Sequence, residues 1–134
     1  MSGVEILGEI FAAAGTLVAV VPADQMFGGV IPQGAQLPAL ELKTISIVQL
    51  KTLGKGARRR VMERVQATVF ARDYAEQKQI IRLVRNAADG QIGDFAGATD
   101  VDVQLDSTGP DFVSEAPVMW MASQDFMVSY NQAT

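Results

Sequence analysis

Apolar residues along the chain change period several times, and each change marks an element. Leu7, Ile10, Phe11 and Ala14 recur at helical spacing, Val4 extends that face by one turn, and Glu5 and Glu9 fall opposite. The pattern predicts an amphipathic helix capped near Ser2 and ended or kinked at Gly15. Gly8 lies inside it at a propensity cost. A short turn carrying Leu17, Val18 and Val21 follows, up to Pro22. Residues 22–39 hold three Pro and three Gly, which predicts an ordered loop with a short extended piece from Met26 to Ile31.

Period 2 takes over at Leu40 and Leu42, which alternate with Glu41 and Lys43, and the apolar phase then moves to Ile45 and Ile47. A one-residue shift inside a strand over 39–52 predicts a bulge near Thr44. Gly54-Lys55-Gly56 reads as a flexible tip. A second strand begins at Arg60, with Val65, Ala67, Val69 and Ala71 on one face and Arg64, Gln66, Thr68 and Phe70 on the other. Together these strands make a long β-hairpin with a basic tip: Lys51, Lys55, Arg58, Arg59 and Arg60. Asp73 and Glu76 have capping-box spacing and open a helix that runs to Ala88. Ile80, Leu83, Val84 and Ala87 mark its core side, Ile81 its edge, and Gly90 stands where a left-handed residue ends it. Residues 91–99 read as loop, 100–106 as a strand, and Ser107 to Pro110 as a turn. Residues from Met119 to Tyr130 read as a final strand or two, broken near Ser123-Gln124. The order α-β-β-α-β-β predicts an α+β fold in a single domain, residues 1–134. Its sheet is mostly antiparallel, of four to five strands, with two helices packed on one face and the hairpin as an extension.

Composition narrows the function classes. The 134 residues are 49% hydrophobic and 19% charged, which argues against a disordered tail. The chain has neither Cys nor His, so disulfides, thiolate nucleophiles, imidazole catalysis and the common zinc and iron–sulfur ligand sets are excluded. The expectation is a protein that is not an enzyme and holds no cofactor or metal. Residues 1–9 lack the positive start of a secretory signal. The apolar run from Ile10 to Val21 falls short of the roughly 20 residues that span a bilayer. A soluble chain made in a cytoplasm is expected.

Charge is segregated. Residues 1–50 carry a net −3, residues 51–85 a net +7, and residues 86–134 eight acids and no base. Three readings stay open: a nucleic-acid patch, head-to-tail self-association of unlike faces, or two solvated surfaces. No aromatic residue falls between Lys51 and Val69, which disfavours single-strand stacking. Asp100, Asp102 and Asp106 share one face of their strand, a weak cation site or a solvated face. An EF-hand starting at Asp100 fails because Leu105 stands where the turn needs Gly. A phosphate loop at Gly54-Lys55-Gly56 fails because Gln49 replaces the first Gly and Gly56 the Ser or Thr. Met119, Trp120 and Met121 form a soft cluster suited to a core, a strand edge or a subunit contact.

Four stretches together resemble the tail terminator (tail completion) proteins of long-tailed phages and gene transfer agents. They are the N-terminal helix, Pro32-Gln33-Gly34-Ala35-Gln36-Leu37-Pro38 leading into a strand, Val65 through Glu76 leading from strand to helix, and Ser123-Gln124-Asp125-Phe126-Met127-Val128-Ser129-Tyr130. The chain departs at Ala39, where the family often has an aromatic, and in its long acidic stretch 100–115. The resemblance implies a structural virion protein at the head-proximal end of the tail, assembled in the host cytoplasm. Copies would form a ring, typically a homohexamer, that caps the tail tube, stops its polymerisation and meets a head-neck connector protein. DNA would pass through the lumen without sequence-specific binding, and no membrane is involved. Alternatives are another neck adaptor, or a small nucleic-acid-binding module using the basic hairpin. The residues expected at the subunit or tail-tube interface are Lys51, Lys55, Arg58, Arg59, Arg60 and Arg64 against Asp100, Asp102, Asp106 and Asp111, together with Trp120.

Overall fold

The computed structural model describes residues 2–29, 31–32, 34–50, 58–109, 112–115 and 118–133. Helix α1 spans Gly3–Ala13, and Ser2 caps it by accepting from the Glu5 N–H at 3.2 Å. It buries Ile6, Leu7, Ile10 and Phe11. Extended backbone at Ala14 breaks it, and a four-residue helix α2, Gly15–Val18, buries Leu17. Helix α3 spans Tyr74–Ala88. Asp73 accepts from the Glu76 N–H at 2.8 Å, while the Glu76 carboxylate reaches back to the Arg72 N–H at 2.9 Å and its guanidinium at 2.6 Å. The Arg72 hydrogen bond holds the Glu76 carboxyl below its usual range. Gly90 is left-handed, with φ 77°, and its N–H bonds Val103 at 2.9 Å, pinning the end of α3 to the sheet.

The strands are β1 (Met26–Gly28), β2 (Ala39–Leu50), β3 (Arg58–Ala71), β4 (Ile92–Phe95), β5 (Ala98–Thr108), β6 (Phe112–Glu115) and β7 (Val118–Ala133). They form one sheet in the order β1-β2-β3-β7-β5-β4, with β6 also paired to β7. β1 runs parallel to β2, and every other pair is antiparallel. The α+β class is as expected, but the sheet is mixed and has seven strands rather than four or five. β1 coincides with the extended piece at Met26, whereas β4 falls where Gly-rich sequence predicts loop. β7 is one continuous 16-residue strand, with no break at Ser123-Gln124. The buried Gln124 stays on the core face because its amide is satisfied: it donates to Ser107 at 3.0 Å and accepts from Thr108 at 2.8 Å.

The expected bulge is present, as a register shift between Thr44 and Ser46. The core lies between one sheet face and the helices. Val65, Ala67 and Val69 of β3, Phe126 and Val128 of β7, and Val101 and Val103 of β5 meet the buried side chains of α1 and α3. Phe11 packs edge-to-face on Phe126, with centroids 6.0 Å apart. Among the described residues no helix is long and apolar enough to cross a membrane.

Candidate functional site

Arg60 and Arg64 fall on the sheet face turned away from the helices. Arg60 and Arg64 alternate with the core residues of β3 and sit beside Asn131 and Met127 of β7. Arg64 donates to Asp125 at 2.9 Å, to Ser107 at 3.0 Å and lies 3.1 Å from Asp106. Asp125 is 7% exposed, so this ion pair is half in water and half under protein. Arg60 donates to the Asp100 carbonyl at 2.7 Å and to Asn131 at 3.3 Å, and Asn131 in turn donates to the Asp100 carboxylate at 2.9 Å. The structure therefore brings Arg60, Arg64, Asp100 and Asp106 together within a single chain. Asp102 stands apart from them and accepts from Gln104 at 3.4 Å. Trp120 is half-buried on the helix side, edge-to-face with Tyr74 at 5.8 Å. Arg58 and Arg59 continue β3 opposite Ala133 and Gln132. Their side chains, and Lys51, Lys55 and Asp111 with the Gly54-Lys55-Gly56 tip, lie outside the described residues.

A second polar cluster escaped the sequence reading. Glu63 is fully buried on the core face of β3, in phase with Val61 and Val65. Its carboxylate accepts from the Gly3 N–H at 2.9 Å, the Thr44 hydroxyl at 2.6 Å and the Tyr130 hydroxyl at 3.0 Å. The donor from Gly3 opens α1, so the helix's positive end also faces the carboxylate. Burial, and then the adjacent Glu63 charge, push the Tyr130 hydroxyl well above its usual range. Three donors on one buried carboxylate fasten α1 to β2, β3 and β7. The signal available in sequence was an acid standing in the apolar phase of a strand.

Where the helices and neighbouring strands stop, apolar side chains are left outside. Ile45, Ile47 and Val48 of β2 are 45%, 54% and 55% exposed, and Ile92 of β4 is 74% exposed. Among the described residues no group of three or more acids is arranged to hold a metal ion. Asp100, with left-handed φ 51° at a register shift, accepts from Asn131 at 2.9 Å, and Asp106 lies 3.1 Å from Arg64.

Comparison with known proteins gives a fold. No family's sequence model matches the chain, and no curated protein does. A solved structure of the virion of a native gene transfer agent particle contains a chain with the same fold. It superposes with a TM-score of 0.71 at 12% identity, over 98% of this chain and 96% of that one.

Proposed function

We propose that the chain is a structural virion protein of the tail terminator kind: a ring of copies that caps the tail tube, ends its polymerisation and joins the tail to the head. The observation that carries this reading is the end-to-end fold match to a chain of a gene transfer agent virion, in which neither chain has an extra domain's worth of unmatched length. The sequence resemblance points the same way independently. In this reading the role is assembly, not catalysis, and the polar groups of the interior tie strands together: Tyr130 of β7 donates to Glu63 of β3, and Gln124 of β7 bonds Ser107 and Thr108 of β5. DNA crosses the ring without being read.

The test is tube capping. The protein is added to its polymerising tail tube protein, and tubes are imaged by negative stain with a gold label on this chain. One label cluster at one tube end, with shortened tubes, is expected. Labels distributed along the tube, or a monomer that leaves tube length unchanged, refute the reading. Binding to the connector protein alone, with no effect on tubes, assigns the chain to the neck instead.

A further inference from the structure

The sheet ends in the short strand β1 on one side and in β4 on the other. β1 covers β2 only from Leu40 to Leu42, so among the described residues no strand runs beside Ile45 to Val48 on that side. Successive residues point to opposite faces, so Ile47 and Val48 carry apolar surface to both sides of one edge. Strands with apolar residues on both faces are normally covered on both, and an open apolar edge invites association. Ile92 gives the opposite end its own exposed apolar residue. The described charges at the two ends also differ in sign: Lys43 stands on β2, while Asp94 stands on β4 and Asp89 just before it. Arg64 and Arg60 already occupy Asp106 and Asp100 within the chain. Asp89, Asp94 and Asp102 face no base among the described residues.

We propose that these two ends bind each other between copies. The β2 edge of one copy, with Lys43, Ile45, Ile47 and Val48, docks on the β4 end of the next, with Asp89, Ile92 and Asp94. The inference rests on the ring reading in taking a second copy as the occupant, and it moves the contact from the arginine-rich sheet face to the sheet's edges. Opposite sign brings unlike ends together and penalises like ends. Two different surfaces meet, so the contact is head-to-tail, the kind that repeats around a ring when its rotation closes.

Cysteine scanning tests this cleanly, because the chain has no thiol of its own. Ile47→Cys and Ile92→Cys proteins are mixed under mild oxidation at low salt. The mixed disulfide is expected to exceed either self-disulfide by about tenfold. The double variant is expected to give a ladder ending in a closed ring. Lys43→Glu and Asp94→Lys are each expected to weaken association several-fold, and their combination in one chain to restore it. A dominant Ile47→Cys self-disulfide overturns the proposal in favour of a symmetric pair. A large oligomer by light scattering, without the 47–92 disulfide, overturns the contact and leaves the ring reading standing. A monomer at every concentration that still caps tubes also overturns it; a monomer that fails to cap overturns both.

Discussion

Alanine in place of Gly3 and alanine in place of Gly8 are the same chemical change on the same helix, and stability should move in opposite directions. Gly8 has open space where a Cβ would stand, so Gly8→Ala should stabilise by about 0.5–1 kcal/mol through helix propensity alone. At Gly3 a Cβ would lie 2.7 Å from Val65 Cγ2 and 2.8 Å from the Glu63 carboxyl carbon. Val65 is stiff at χ1, and the Glu63 carboxylate is held by three donors, so neither moves cheaply. Relief requires α1 to lift from β3, which stretches the 2.9 Å Gly3–Glu63 bond. Overpacking costs about 1–3 kcal/mol and a charge-assisted bond about 1.5–3 kcal/mol. After subtracting the propensity gain, Gly3→Ala should destabilise by about 1.5–5.5 kcal/mol. Urea unfolding followed by circular dichroism measures both, with the wild type between the two variants. Equal midpoints, or a Gly3→Ala protein at least as stable as the wild type, would show that the buried carboxylate does not fasten the helix.

Two further outcomes follow from the polar contacts. Tyr130 has a raised pKa in the fold, so its contribution is complete below the unfolded value of about 10 and is lost as pH rises through the folded one. Tyr130→Phe should therefore be less stable than the wild type at neutral pH, and the gap should narrow above about pH 10 in denaturation curves; a pH-independent gap refutes the assignment. Arg64→Ala should destabilise the isolated subunit by about 1–3 kcal/mol, because it strands the buried Asp125. Arg64→Ala with Asp125→Asn should recover part of that in the same urea assay, and an unaffected subunit would return Arg64 to an intersubunit role.

Much of the fold was legible where one face of an element is apolar and the other wet. The phase change between Leu42 and Ile45 announced the bulge, and the Asp73 to Glu76 spacing announced α3. The reading failed where that contrast disappears. In β7 the core face includes Gln124 and the opposite face includes Met119, Met121 and Met127, so alternation is blurred and a single strand looks like two. β4 carries Gly93 at φ 137° inside four residues, too short and too irregular for a period to show. Of the candidate site, the charge segregation was visible but its pairing was not. Which acid meets Arg64 depends on β5 and β7 lying side by side with β3 beyond them, a fact of topology that local sequence does not encode. Glu63 was hidden for a related reason: its three donors come from residues 3, 44 and 130, distant in sequence and joined only by the completed sheet.

Strand β7 follows in the chain every strand it joins, and it sits between β3 on one side and β5 and β6 on the other. A ribosome that has made residues 2 to 117 has therefore produced two strips of sheet without the strand that lies between them. The β2–β3 hairpin can close early, since its strands are neighbours in sequence, but Phe11 has no Phe126 to meet and Glu63 no Tyr130. Folding waits for the span from Val118 to Ala133 and then proceeds across large loop separations, the slow regime for a chain of this length. During that wait the edges of β3 and β5 that β7 later covers stay unpaired. The two strips and the helices consequently reach the native fold together, when the sixteen residues of β7 arrive.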